Sequence, residues 1–149
     1  LVAPDLIRGP ILDACFRSDG EPYGRKNFEW TDSNIPAAQV EWLQADLNQT
    51  TNKTLVFVHQ RLDVEPPLGI KNAPEVRKVL EESGKVLVVL QGHDHKGDHK
   101  EIDGVRYFTL KAMVEGSGEE NNAYAILGVL PNNGIQIRGF RKQTSYSPM

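Results

Sequence analysis

The sequence has one cysteine, Cys15, among its 149 residues. No internal disulfide is therefore available, and no thiolate cluster can bind a metal. In its apolar run Cys15 reads as a small buried hydrophobe. There is no basic excess either: 17 Lys and Arg face 20 Asp and Glu, a formal charge of -3. A protein that grips a phosphate backbone needs clustered positive charge to release counterions, so the balance argues against a nucleic-acid partner. Apolar runs stay well short of the ~20 residues that a bilayer span requires. Leu1 to Arg8 does not show the basic-then-apolar order of a secretory leader. The expectation is a soluble, cytoplasmic protein with no nucleic-acid or membrane partner. Histidine is missing from the first 58 positions, and all four copies follow, at His59, His93, His95 and His99.

What is present describes a packed globule. The chain is 39% hydrophobic and 25% charged, and a chain of this length buries roughly two-thirds of its unfolded surface. Pro10 to Phe16 is a short apolar run suited to a buried strand. Arg17 to Ser33 reads as a long loop anchored by Tyr23, Phe28 and Trp30. A helix is expected from about Pro36, with Ala37, Val40, Leu43 and Leu47 on one stripe and Trp42 at its margin. Thr54 to Val58 follows as a strand without polar alternation, which suits burial on both faces.

Pro66, Pro67 and Gly69 make Leu62 to Asn72 a loop. A second helix over about Pro74 to Ser83 is closed by Gly84, and Lys85 to Leu90 is the next buried strand. Strand, helix, strand in this order predicts a parallel crossover unit. Beyond it, Asp103-Gly104 and Pro131 to Gly134 predict two antiparallel hairpins, Ile102 to Leu110 and Ala123 to Phe140. A polar tail over 142–149 is expected to be flexible.

Ligands of open parallel sheets collect beyond the carboxyl ends of the strands. His59 comes directly after one strand, and Gly92-His93-Asp94-His95 directly after the next. Two neighbouring strands thus deliver three imidazoles to one rim. Imidazole binds zinc, manganese and iron, and a His-x-His spacing lets two rings meet one ion or two adjacent ones. Gly92 is expected to allow the sharp turn out of the strand. Asp94 and Asp98 are candidate acceptors for the imidazole N–H groups. Arg61 is a candidate phosphate contact at the rim. His99 is expected at the surface near the site.

Phe57-Val58-His59 and Gly92-His93-Asp94-His95 resemble the last two motifs of the calcineurin-like metallophosphoesterases. The helix around Gln39 to Leu43 is similar to that family's approach to the strand. The pattern is closest to manganese-dependent diphosphatases acting on ADP-ribose and CDP-alcohols. This resemblance covers about residues 10 to 140. It implies an α/β fold, the C-terminal half of a four-layer α-β-β-α sandwich. It also implies two divalent metals (manganese, iron or zinc), with His59 and His93 on one and His95 on the other. The implied chemistry is in-line attack on phosphorus by a metal-bound hydroxide, with a phosphorylated small molecule as substrate.

The family's Asp-x-His, Gly-Asp-x-x-Asp and Gly-Asn-His motifs do not occur here. With the initial Leu1 and the late histidines, this leads us to expect residues 1–149 to be the C-terminal portion of a longer enzyme, inactive alone and able to dimerise through the surface its first half would cover. Two other readings compete. His93 to His99 approaches the His-x-His-x-Asp-His motif of metallo-β-lactamase-fold hydrolases, with one residue too many before Asp98. The chain could also be a non-catalytic His-rich metal-binding domain.

Overall fold

The computed structural model describes Ile7–Arg8, Ile11–Leu12 and residues 30–147. Cys15, most of the expected long loop and the end of the Pro10 to Phe16 run lie outside the described residues. The elements are β1 (Ile7–Arg8), β2 (Ile11–Leu12), α1 (Ala37–Gln49), β3 (Lys53–Val58), α2 (Ala73–Ser83), β4 (Val86–Gln91), β5 (Asp98–Ile102), β6 (Val105–Thr109), β7 (Tyr124–Val129) and β8 (Ile135–Phe140).

Both helices form where the apolar period places them. Pro36, extended at φ -65° and ψ 148°, sits just before α1, where its missing N–H costs no hydrogen bond. Val40, Leu43 and Leu47 are buried on the inner stripe, each contributing about 1.5–3 kcal/mol of apolar burial. Ala37 is exposed, and Ile35, just ahead of the helix, fills the core beside that stripe. Trp42 remains half exposed. In α2, Val76 and Leu80 are buried, and Gly84 closes the helix in the left-handed region at φ 61°. Asn72 ties the two entrances together: its side-chain oxygen accepts from the Ile35 N–H at 3.0 Å and its amide donates to the Ile35 carbonyl at 2.8 Å.

The main sheet has six strands in the order β1-β3-β4-β6-β5, with β2 also pairing with β3. β3 and β4 are parallel, as the crossover pattern requires, and β4 and β6 are parallel too. β5 is antiparallel to β6 and forms the edge. Side chains alternate between two cores. Val56, Val58, Val89, Val105 and Tyr107 pack with α1 and α2. Leu55, Val88 and Phe108 pack on the other face against Ile135 and Ile137 of the antiparallel β7–β8 pair. A bulge between Thr54 and Leu55 of β3 sets the register, so that Thr54 faces Val86 and Leu55 faces Val88. The described residues therefore build three layers: helices, a six-stranded sheet and a two-stranded sheet.

Both expected hairpins form. Asp103 and Gly104 have φ of 47° and 79°, the pair of positive values that a primed two-residue turn needs. The segment expected to fray beyond Lys142 instead folds back. Tyr146 and Ile137 exchange backbone hydrogen bonds at 2.8 and 3.2 Å. The Tyr146 ring packs 4.8 Å from that of Phe108, and Gln143 is buried, accepting from the Lys111 N–H at 2.9 Å. Burial of an aromatic ring against the second core holds what polarity alone would leave loose.

Candidate functional site

β3 and β4 end side by side, and the Gly92 N–H donates to the His59 carbonyl at 2.9 Å. This bond joins the two strand-end loops where the histidines begin. The tight turn out of β4 does not depend on Gly92 in the expected way. A Cβ there would meet nothing closer than 3.5 Å. The left-handed residue is His93, at φ 66°. A non-glycine residue in that region stores of order 1 kcal/mol of strain, and such residues cluster where position matters to function.

The turn aims His93 at His59. His59 Nε2 and His93 Nδ1 face each other at 3.4 Å, with ring centroids 5.3 Å apart in an edge-on arrangement. Burial, and after it the electrostatic effect of the nearby His59 and His95 rings, lowers the His93 pKa from its ordinary value. The ring therefore stays neutral near pH 7 with a lone pair to offer. His95 turns elsewhere: its Nδ1 lies 2.5 Å from Glu115 Oε1. That hydrogen bond holds the exposed Glu115 carboxyl below its usual range. The Ala112 N–H donates to the His95 carbonyl at 3.2 Å, and Lys142 Nζ to the Glu115 carbonyl at 2.5 Å. The loop carrying Glu115 is thus fastened to the histidine loop at both levels.

Arg61 is buried among carboxylates. It is 3% exposed, and four of its five N–H groups are committed to carboxylates. Nε and Nη2 take Asp63 bidentately at 2.9 and 2.7 Å, Nη1 takes Asp94 at 2.8 Å, and Nη2 takes Asp98 at 2.5 Å. Burial alone would lower the guanidinium pKa, but the bonds to Asp63 and Asp98 raise it above its ordinary value. The arrangement presents carboxylates, not a phosphate, to this arginine. It also redirects Asp94 and Asp98, expected beneath imidazoles, to the guanidinium. Gln91 completes the layer, donating to Asp63 at 2.5 Å and to Thr109 at 2.9 Å while accepting from the Leu62 N–H at 3.0 Å.

His99 belongs to β5 and not to the site. Its ring stacks on Phe108 at 4.3 Å and 11° and lies 5.2 Å from Tyr146, which places it with the second core. The metallo-β-lactamase spacing would need His99 beside His95, and this stacking removes it from that role. Two participants carry no signal in the sequence. Asp63 is an ordinary loop aspartate until Arg61 folds onto it. Glu115 lies in a Gly- and Ser-rich stretch with no periodic signal.

Metal fit can be judged from the donors themselves. Two nitrogens bound to one tetrahedral ion at 2.0–2.1 Å lie about 3.3–3.4 Å apart, and the His59–His93 separation matches. The set is incomplete: among the described residues, no group of three or more His, Cys, Asp or Glu side chains is placed to hold a metal ion. The donors fit in kind and spacing, and the number is two.

No family model matches the sequence, and no curated protein matches it. Among solved structures, the fold matches a dimetal phosphatase from Danio rerio with a TM-score of 0.65 and 22% sequence identity. The match covers 80% of this chain and 39% of that one. The chain thus has an α/β fold that matches part of the fold of that phosphatase. At this identity the likeness concerns the fold, and the reaction must be argued from the site. No helix among the described residues is long and apolar enough to cross a membrane.

Proposed function

We propose that this chain carries part of the divalent-metal centre of a protein that hydrolyses phosphoester or pyrophosphate bonds. The observation that carries the reading is the pair of imidazole nitrogens 3.4 Å apart at adjacent strand ends, in a fold matching part of a dimetal phosphatase. His59 and His93 would hold one ion, His95 would serve a second, and the remaining ligands come from outside the described residues. A bound divalent ion supplies charge neutralisation at a phosphoryl oxygen. This chain's own residues hold the imidazoles in register: the Gly92 N–H joins the two loops, and Glu115 fixes the His95 ring through Nδ1. Manganese, iron and zinc all accept this donor set.

Calorimetric titration with Zn²⁺ and with Mn²⁺ tests the reading. Binding is expected in the native chain and is expected to disappear in His59→Ala and in His93→Ala, with unchanged circular dichroism. Binding that survives both substitutions, or none in the native chain, removes the metal centre and with it the phosphoesterase reading.

A further inference from the structure

A buried arginine surrounded by three aspartates is a costly way to fill space. Well-packed apolar side chains of similar volume commonly serve stability as well or better. What a guanidinium offers that they do not is a planar fork with fixed directions, able to hold several carboxylates from different segments at set angles. Here the segments are specific. Asp63 belongs to the loop after β3, two residues beyond Arg61 itself. Asp94 lies between His93 and His95. Asp98 opens β5. The Ile70 N–H donates to the Arg61 carbonyl at 2.9 Å, which anchors the arginine backbone independently of its ion pairs.

We propose that Arg61 is a positioning residue of the metal centre, holding the loop that bears His93 and His95 at a fixed distance from the loop that bears His59. The proposal deepens the reading above and takes its functional meaning from it. Asp94 is the lever: clamped at 2.8 Å by Nη1, it fixes the peptide units on either side. One of these belongs to His93, whose left-handed backbone at φ 66° has no glycine-like freedom to support it. Asp98, at 2.5 Å from Nη2, holds the far end of the same loop where it enters the sheet. Gln91 and Lys100 brace Asp63 from below, through its side chain at 2.5 Å and its carbonyl at 3.2 Å. The His59–His93 spacing of 3.4 Å is then a consequence of the clamp.

Lysine keeps the charge at position 61 but is a single point donor, unable to engage three carboxylates in a plane. The test follows the apo chain and its Zn²⁺ complex separately. In the apo chain, the nuclear Overhauser effect between the His59 and His93 ring protons reads their contact directly. Arg61→Lys is expected to abolish it and to weaken Zn²⁺ binding by about 10–100-fold, the usual effect of removing support behind metal ligands. Asp94→Asn, at a partly exposed position, is expected to act in the same direction and stands in if Arg61→Lys does not fold. Leu80→Ala, in the helix core, serves as the control. It is expected to lower the urea midpoint while leaving the ring contact and Zn²⁺ affinity unchanged, which a merely structural loss at Arg61 would also do. Ring contact and affinity unaltered in both Arg61→Lys and Asp94→Asn overturn the proposal. Loss of the ring contact in those variants, in a chain that binds no Zn²⁺, upholds the positioning role and overturns the metal-centre reading.

Discussion

Asp98 illustrates how single side chains set the behaviour of this site. The hydrogen bond from Arg61 is the main reason its carboxyl sits below the usual carboxylate range, against the opposing effect of burial. A group whose pKa is depressed on folding adds stability above its unfolded value, and this stability is lost as pH falls through the folded value. Asp98→Asn should therefore lower the urea midpoint at pH 7, and the gap to the native chain should shrink as pH drops below about 4. A gap that stays constant down to the lowest pH at which the fold survives would mean that the ion pair contributes nothing. Salt should reduce the effect at neutral pH, because the Asp98 side chain is 38% exposed. At this scale the meeting of His59 and His93 was readable from order alone, since consecutive parallel strands end on one rim. The fate of Arg61 was not. Its partners lie 2, 33 and 37 positions away, and only the folded geometry decides between three aspartates and a phosphate.

Among the elements, those defined by local chemistry were legible, as were the β3–β4 crossover and the two hairpins, while the full strand order was not. The stripe of α1, the Gly84 stop of α2 and the Asp103-Gly104 turn each follow from a few adjacent residues. β5 does not: Asp98 to Ile102 carries two acids and a lysine, which suits a sheet edge but not an apolar-run search. The insertion of β6 between β4 and β5 is likewise a matter of pairing, not of propensity. Two glycines make the element scale testable. A Cβ on Gly69 would lie 1.8 Å from the Val64 carbonyl oxygen, and Gly69 bridges to Arg61. At Gly84 a Cβ would meet nothing, leaving only the left-handed φ of 61°. Gly84→Ala is expected to cost about 1 kcal/mol. Gly69→Ala is expected to cost about 2–3 kcal/mol through forced backbone movement. Equal costs in denaturant unfolding would show that the 62–72 loop yields freely, and would weaken the idea that it braces the arginine.

For the molecule as a whole, the question is whether the parts that converge are enough for turnover. In-line displacement at phosphorus uses two ions about 3.5–4 Å apart to stabilise the attacking and leaving oxygens together. The described residues place one pair of imidazole nitrogens at single-ion spacing and engage His95 with Glu115. Beneath them, three aspartates around one guanidinium leave net negative charge, which repels a phosphodiester anion unless divalent ions intervene. The chain aligns with 39% of the dimetal phosphatase it matches. These facts give one expected outcome. With Mn²⁺ added, the 149-residue chain should hydrolyse bis-p-nitrophenyl phosphate no faster than its His93→Ala variant, even where calorimetry detects bound metal. Turnover that His93→Ala abolishes would show instead that residues outside the described set complete the centre within this chain. The missing ligands would then have to be sought among the residues outside the described set.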